Sequence, residues 1–287
     1  MSAVNKIMLA KKQQETPSSS PKISKSAFDA FRTLIYDEAG ISLSSSKASL
    51  VEGRLSIRLR HLDIPTFEQY HKYITQNNDR SELQVVVDLL TTNETYFFRE
   101  EQHFDFMKTD ILPNITSTQP FNIWSAASST GQEAYTIAMV LAEKLKLHGA
   151  WKIIGTDINS KVLAEARLGR YKLDEKNYIP EALMHEYCLK GIRSQEGMVM
   201  FNRKLKEHLS FESLNLMKNW PTSFTNFDIV FLRNVMIYFD EETKRKLIGK
   251  IIDRIRPEGY LFVGHSESLN GFTDRVKLVK PSIYMKS

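Results

Sequence analysis

Apolar residues recur at helical spacing through the first third of the chain. Phe28, Phe31 and Leu34 follow one another at every third position, which places them on one side of a helix. A longer stripe, at successive intervals of four, four and three residues, comprises Val51, Leu55, Leu59 and Leu62. No alternating strand pattern interrupts this region, so the sequence predicts a small all-helical domain over residues 23–90.

A different pattern follows, in which helical segments alternate with short runs of β-branched and aromatic residues. These runs lie at residues 152–156, 209–213, 227–232 and 260–263. Alternation of this kind is typical of a mostly parallel sheet with helices on both faces. Two short strands around Pro281 predict an antiparallel closing edge. The expected fold class is therefore α/β for residues 91–287.

Residues 1–22 follow neither pattern. They are rich in Lys, Gln, Ser and Pro and lack an apolar period, which predicts a disordered tail. The chain has 287 residues, 42% of them hydrophobic and 25% charged, as in ordinary globular proteins. No apolar run approaches the roughly 18 residues of a membrane-spanning helix, and the N-terminal apolar patch is too short for a signal sequence. We therefore expect a cytoplasmic protein that does not insert into membranes.

Cysteine and histidine usage argues against a metal centre. The one cysteine, Cys188, excludes an internal disulfide and any site built from several thiolates. The seven histidines show neither H-x-x-x-H nor H-E-x-x-H spacing. No metal is expected as a cofactor.

The charge balance predicts an acidic partner. A net charge of +5 suits nucleic acid, lipid headgroups or a carboxylate-rich protein surface, and charge alone does not choose among them. Cations concentrate on one flank of a predicted helix, at Lys47, Arg54, Arg58, Arg60 and His61. Periodicity favours a solvated face, and the alternative is a strip that docks an acidic helix or phosphates. Aromatic residues do not interleave with these cations, which weakens the case for single-stranded nucleic acid.

A candidate cofactor site lies between residues 123 and 157. An apolar strand leads into a loop of small residues, a helix begins near Gln132, and a second strand ends at Asp157. The loop lets main-chain N–H groups approach a ligand, and the acid is placed to bond ribose hydroxyls. Both the G-x-G-x-x-G fingerprint and the P-loop motif are missing, so a nucleoside without phosphates fits better, and S-adenosylmethionine is the common one. The alternative is an ordinary strand-to-helix turn with a chance Asp.

Polar residues recur where strands are predicted to end. Asp157, Asn215 and Asn234 each occupy such a position, and ligands of open α/β sheets bind beyond the carboxyl ends of the strands. Taken singly, either asparagine is more often a turn former or a helix cap. Their recurrence at equivalent positions favours a shared ligand crevice.

Six stretches carry a resemblance to a known family. TTNETYFFRE, WSAASSTGQEAYTIAM, GTDIN, LNL, FLRNVMIYFD and GHSESL, in this order and separation, closely resemble the CheR family of chemotaxis receptor methyltransferases. The resemblance covers about residues 24–285 and implies a helical receptor-docking domain followed by a class I methyltransferase domain with a Rossmann-like sheet. It also implies a small antiparallel β-subdomain, inserted at about residues 178–207, which in some members binds a C-terminal pentapeptide tether of the receptor.

The resemblance also implies an activity and its residues. The family transfers a methyl group from S-adenosylmethionine to glutamate side chains on chemoreceptor cytoplasmic helices, which gives methyl esters and S-adenosylhomocysteine. Matching positions that would hold the cofactor are Asn93, Thr95, Arg99, Glu133, Asp157, Asn215, Leu216, Asn234 and Val235. Arg99 and Tyr238 would lie nearest the reacting centre. Ala126 and Ala127 replace glycines of many class I methyltransferases, and alanine is tolerated there if the backbone keeps a negative φ.

Two rival functions stay open at the level of sequence. One is a methyltransferase that acts on nucleic acid, although the [DNS]-P-P-[YF] signature of base-amine methylation is missing. The other is a non-catalytic module that binds the cofactor and only docks on receptors.

Overall fold

The computed structural model describes residues 21–76 and 80–287. The predicted disordered tail lies outside these residues, apart from its last two positions. None of the described helices is both long and apolar enough to cross a lipid bilayer.

Four helices form the N-terminal domain, as the apolar stripes predict. They are α1 (Lys25–Ala39), α2 (Ala48–His61), α3 (Phe67–Gln76) and α4 (Arg80–Leu90). The side chain of Ser24 caps α1 by accepting a hydrogen bond from the Ala27 N–H at 3.1 Å, and Gly40 ends the helix at φ 71°. The predicted stripe faces inward, since Val51, Leu55 and Leu59 are fully buried.

The second domain is built on a seven-stranded sheet. Its strands are β1 (Phe121–Ala126), β2 (Trp151–Asp157), β6 (Leu209–Ser213), β7 (Phe227–Leu232), β8 (Ile255–Val263), β9 (Val276–Lys280) and β10 (Ile283–Lys286). The strand order is β6-β2-β1-β7-β8-β10-β9, and the first five strands are parallel. Strand β10 pairs antiparallel with both of its neighbours and supplies the predicted closing edge.

The described α-helices of this domain are α5 (Gln102–Phe106), α6 (Gln132–Leu145), α7 (Ser160–Leu168), α8 (Glu181–Tyr187), α9 (Arg203–Lys206) and α10 (Glu241–Ile252). Helices α6, α7 and α10 pack against strands of the large sheet, and α8 packs against β4 (Cys188–Lys190). All six residues of β7 are buried, as expected of a central parallel strand covered on both sides. The predicted α/β class with a Rossmann-like sheet is confirmed.

A small antiparallel sheet is inserted between α7 and β6. Its strands are β3 (Arg170–Lys172), β4 (Cys188–Lys190) and β5 (Met198–Phe201), in the order β3-β5-β4. The range expected from the resemblance, residues 178–207, omits β3. That strand directly follows α7 and pairs with β5 through Tyr171 and Val199, so its three residues carry too short a pattern to be recognised from sequence.

The helical domain covers the carboxyl edge of the large sheet. Asn215 Nδ2, at the end of β6, donates to the Glu38 main-chain oxygen of α1 at 2.6 Å. The Ser42 N–H donates to the Tyr238 main-chain oxygen at 2.8 Å. Asn159 Nδ2, after β2, donates to the Asp88 main-chain oxygen at 3.0 Å. Three loops of the sheet are thus tied to the helical domain, and a cleft lies between them.

Candidate functional site

The cleft between the two domains is a cavity of about 440 Å³. This volume is in the range of small-molecule and cofactor sites, about 300–1,000 Å³. Every residue predicted to hold a cofactor or to act in catalysis lines it: Asn93, Thr95, Arg99, Glu133, Asp157, Asn215, Leu216, Asn234, Val235 and Tyr238. These residues come from five separate stretches of the chain, which the fold brings together at one cavity.

The loop after β1 has an unusual backbone. Ala127 has φ 58° and Ser129 has φ 51°, so the condition of a negative φ is not met at Ala127. A left-handed alanine costs roughly 1–2 kcal/mol, and such strain is typical of functional loops. Gly131, at φ 95°, begins α6, and a Cβ there would lie 2.9 Å from the Cβ of Ala166. The loop therefore packs closely, and its Ser128 and Gly131 N–H groups donate to the main-chain oxygens of Thr156 and Ser128.

Asp157 fastens this loop to the end of β2. Its Oδ2 accepts the Ser129 N–H at 2.9 Å, and its Oδ1 accepts the Asn159 N–H at 2.9 Å. Burial raises the pKa of the Asp157 carboxyl, whereas the two main-chain donors favour its ionised form. Each carboxylate oxygen keeps acceptor capacity toward the cavity, which suits a pair of vicinal hydroxyl groups.

Glu133 lies at the first turn of α6 and is only 14% exposed. Its Oε1 accepts the Ser125 hydroxyl at 2.7 Å, and its Oε2 accepts Arg233 Nη1 at 3.2 Å. Burial raises the pKa of Glu133, and Arg233 partly offsets this effect. Arg233 was not among the predicted site residues. Its position directly after a buried strand and before Asn234 was the available signal.

Asn234 adopts a left-handed backbone with φ 57°. Asparagine tolerates this conformation better than most residues. Glu267 holds it there, because Glu267 Oε2 accepts the N–H groups of Asn234 at 2.8 Å and Gly264 at 2.7 Å. Burial raises the pKa of Glu267. Glu267 is a second residue that the sequence-based site omitted, although it belongs to the recognised GHSESL stretch.

Two of the residues predicted to bind the cofactor have side chains that form hydrogen bonds within the protein. Asn215 donates to Glu38, and its Oδ1 accepts the Met217 N–H at 2.8 Å. Asn93 Oδ1 accepts Asn159 Nδ2 at 3.1 Å. Both asparagines thus shape the wall of the cavity, and each keeps part of its hydrogen-bonding capacity for a ligand.

Arg99 and Tyr238 both line this cavity. Arg99 Nη1 donates to the Glu94 main-chain oxygen at 2.8 Å, and its guanidinium lies 5.7 Å from the Tyr96 ring centroid. Tyr238 lies in the short 3₁₀ turn after β7. Both side chains are half-buried, which leaves them accessible to a substrate that enters the cleft.

The predicted cationic flank of α2 divides into two sets. Arg58 forms a bidentate pair with Glu82, at 2.8 Å and 2.6 Å, and Glu82 is only 5% exposed. Arg54 donates to the main-chain oxygens of Leu90 and Thr91, both at 2.9 Å. The expectation of a free cationic strip therefore fails for these two arginines, which hold the helical domain together.

The other cations of the flank are exposed. Lys47, Arg60 and His61 lie at the surface, and Lys47 also lines the cavity. Helical spacing identified the flank but could not show which of its cations meet a carboxylate from another helix.

Glu100, His103 and His265 cluster behind Arg233. One possible ligand atom from each lies within 4.8 Å of the others. Arg233 Nη2 lies 3.1 Å from Glu100 Oε2, and that guanidinium opposes a second cation at the same carboxylate. Burial lowers the pKa of His103 to about 3, and its Nε2 lies 2.7 Å from Ser282 Oγ. We therefore assign the cluster to the polar network around Arg233, outside the lining of the cavity.

Comparisons with known proteins agree with this site. Residues 93–285 match the family described as CheR methyltransferase, SAM binding domain, and residues 26–91 match its all-alpha domain. A chemotaxis protein methyltransferase of Escherichia coli (strain K12) is 37% identical over 92% of each chain. Another, of Borreliella burgdorferi, is 36% identical over 92% of this chain and 95% of its own. Chemotaxis protein methyltransferase 2 of Pseudomonas aeruginosa is 37% identical over 90% and 91%, respectively. The chain therefore belongs to the CheR methyltransferase family.

Proposed function

We propose that this S-adenosylmethionine-dependent methyltransferase esterifies glutamate side chains on the cytoplasmic helices of chemoreceptors. The observation that carries the proposal is the meeting of Asp157, Glu133 and Arg99 in one cavity between the two domains. The chemotaxis methyltransferases to which the chain is similar support the choice of substrate. The products are a glutamate methyl ester and S-adenosylhomocysteine.

The lining of the cavity fits the donor at both ends. Asp157 is a buried acceptor for ribose hydroxyls, and Leu216 and Ile158 supply apolar surface beside it. Glu133 is a largely buried carboxylate that suits the methionine ammonium. Asn234 and Val235 line the wall contributed by the loop after β7.

The reaction needs no general base from the protein. A glutamate side chain, with an ordinary pKa of about 4.3, is already ionised at neutral pH and is itself the nucleophile. The bound donor supplies a methyl group on a positively charged sulfur. The protein therefore contributes mainly alignment, which can supply on the order of 7–11 kcal/mol.

Arg99 and Tyr238 are proposed to provide that alignment. Arg99 would steer the incoming carboxylate, and Tyr238 would fix its angle through a hydrogen bond. A tight bidentate arginine clamp would stabilise the ground-state anion as well, so we expect a loose contact. The bond of Arg99 to the Glu94 main-chain oxygen, which occupies part of its guanidinium, is consistent with such a contact.

The exposed cations Lys47 and Arg60 are proposed to attract the receptor. Both face solvent, and Lys47 lies at the cavity itself, where an acidic helix would approach. Electrostatic attraction of this kind acts mainly on the rate of encounter. The receptor helices are cytoplasmic, so we place the protein in the cytoplasm, without membrane insertion and without nucleic acid as a partner.

The small sheet is the proposed site for a C-terminal receptor tether. Strand β4 is an edge strand; Leu189, within it, is 56% exposed, and Ile192, just after it, is 73% exposed. An extended peptide can add to such an edge through main-chain hydrogen bonds, with alternate side chains seated on apolar surface. Whether the cognate receptor carries a tether decides this part of the proposal.

A methylation assay tests the function. The protein is incubated with methyl-labelled S-adenosylmethionine and receptor cytoplasmic fragments, and the expected product is a base-labile methyl ester on glutamate. A receptor variant with the accepting glutamates changed to alanine is the control. Binding of the donor without label transfer would favour the non-catalytic docking module. A gel shift with a steep salt dependence, together with base-stable label on nucleic acid, would favour the other rival.

A further inference from the structure

Arg233 is the most completely engaged cation of the site. Its side chain is 2% exposed and contacts three acceptors from two other segments. Nη1 donates to Glu133 Oε2 at 3.2 Å, Nε donates to Glu100 Oε2 at 3.3 Å, and Nη2 donates to the main-chain oxygen of Arg99. The guanidinium also lies 5.6 Å from the ring centroid of Phe104.

The backbone of Arg233 is held by its neighbours on both sides. It directly follows β7, whose residues are all buried, and it precedes Asn234, which Glu267 holds in the left-handed conformation. The planar fork of an arginine can satisfy several acceptors at once, which a lysine ammonium does not reproduce. Arg233 therefore links the first turn of α6 rigidly to the segment that carries Arg99.

Glu133 and Glu100 share the Arg233 guanidinium unequally. One guanidinium lies between the two carboxylates. Glu100 has further partners, because its Oε1 accepts Asn234 Nδ2 and the His265 N–H, each at 3.2 Å. Among the described residues, Glu133 accepts hydrogen bonds from Arg233 and from the Ser125 hydroxyl. Glu133 therefore has fewer donors than Glu100, and it also lines the cavity.

We propose that Arg233 is a positioning residue that ties the anchor for the donor's ammonium, Glu133, to the backbone of the catalytic Arg99. The inference rests on the proposed roles of Glu133 and Arg99. An ammonium group would supply Glu133 with a further donor, so the site suits a zwitterionic amino-acid moiety. Because the same guanidinium fixes Arg99, filling of the donor site and alignment of the substrate are coupled.

The charged groups that face Glu133 decide how its ionisation responds to mutation. They are Arg233, directly after β7, and Arg99 and Glu100, which precede α5. His103 and His265 in turn face Glu100. Arg233→Met removes the principal cation, so the pKa of Glu133 rises. Glu100→Gln removes a like charge and a competitor for Arg233, so the pKa of Glu133 falls. The two variants thus move the same ionisation in opposite directions.

Calorimetric titration with S-adenosylhomocysteine between about pH 5 and 7 measures this ionisation, because an α-amino group stays mostly protonated there. In the wild-type protein we expect affinity to fall as Glu133 takes up a proton. In Arg233→Met the fall should begin at higher pH, and the affinity at pH 7 should drop by about tenfold to a hundredfold, as for loss of a charge-assisted bond. In Glu100→Gln the fall should begin at lower pH.

Two further variants separate positioning from packing. Arg256→Met removes another arginine–carboxylate ion pair, that of the more exposed Arg256 with the buried Asp228 at 2.6 Å near the amino end of β7, and should leave the pH profile unchanged. Arg233→Lys keeps the charge, so the profile should stay near that of the wild type. The turnover number with receptor fragments should still fall by about tenfold, because the Arg99 main-chain oxygen loses its partner.

The outcomes distinguish this inference from the proposed function. A wild-type protein that binds no S-adenosylhomocysteine would contradict the donor site itself, and one that binds it but methylates no receptor would contradict only the substrate. If S-adenosylhomocysteine binds, two results would overturn the role of Arg233. One is the same pH dependence of affinity in Arg233→Met and wild type, and the other is a pH dependence displaced to higher pH in Glu100→Gln. If Arg233→Met does not fold, the Glu100→Gln profile alone decides.

Discussion

The carboxylate of Glu267 accepts the N–H of Asn234 at 2.8 Å and holds that residue at φ 57°. The same oxygen accepts the Gly264 N–H, and Oε1 accepts the Ile237 N–H at 3.3 Å. One buried side chain thus shapes the loop that carries Asn234, Val235 and Tyr238. A residue outside the lining of the cavity therefore helps to determine its shape.

The first prediction concerns this loop. Glu267→Gln keeps one acceptor oxygen but places an amide N–H group against a main-chain donor. We expect a loss of roughly 1–3 kcal/mol in the free energy of unfolding, together with weaker binding of S-adenosylhomocysteine. Chemical denaturation and calorimetric titration measure the two effects. An unchanged affinity would show that the left-handed Asn234 is not needed for the donor site.

The second prediction concerns Asp157. Asp157→Ala removes an acceptor for ribose hydroxyls and also leaves the Ser129 and Asn159 N–H groups without this partner. We expect donor affinity to fall by roughly 1.5–3 kcal/mol, with some loss of thermal stability. Asp157→Asn, which keeps one carbonyl oxygen, should lose less of both. Equal affinities for wild type and the alanine variant would remove Asp157 from the donor site.

The third prediction separates the two sets of cations on α2. Arg58→Glu breaks a largely buried ion pair and places like charges together, so we expect it to cost roughly 3–5 kcal/mol of stability. Arg60→Glu changes an exposed side chain and should alter stability by less than about 0.5 kcal/mol. At low salt, Arg60→Glu should instead raise the Michaelis constant for receptor fragments. Equal unfolding midpoints for the two variants would contradict this division.

The fourth prediction concerns pH and His103. Burial lowers the pKa of His103 to about 3, below the ordinary value of 6.5, so the unfolded chain binds the proton first as pH falls. Its contribution to stability is complete above pH 6.5 and is lost as the pH falls from there toward 3. Denaturant unfolding at pH 7.5 and 5 should show a smaller pH-dependent loss in His103→Gln than in the wild type. Identical losses would mean that His103 does not carry this effect.

Sequence patterns predicted the architecture because they report burial along single elements. The stripe at Val51, Leu55 and Leu59 indicates a helix with one buried face, and the apolar run of β7 indicates a strand buried on both faces. The three-residue strand β3 is too short to show such a pattern. Its formation depends on pairing with β5, which comes later in the sequence.

The site was predictable to the extent that its residues follow strands. Asp157, Asn215 and Asn234 occupy strand ends, and parallel strands bring their carboxyl ends together. The partners of a charged side chain were not predictable in this way. Arg58 pairs with Glu82 of another helix, and Arg233 pairs with Glu100 of a distant segment. The partners of each pair are too far apart in the sequence for a local pattern to reveal them.

We propose that one cavity binds the donor, with Asp157 at the ribose and Glu133 at the ammonium group. A crystal structure of the protein with S-adenosylhomocysteine tests it most directly. We expect the ribose hydroxyls within hydrogen-bonding distance of the Asp157 carboxylate and the ammonium at Glu133, with the sulfur open toward Arg99 and Tyr238. A product bound elsewhere, or a ribose remote from Asp157, would contradict it.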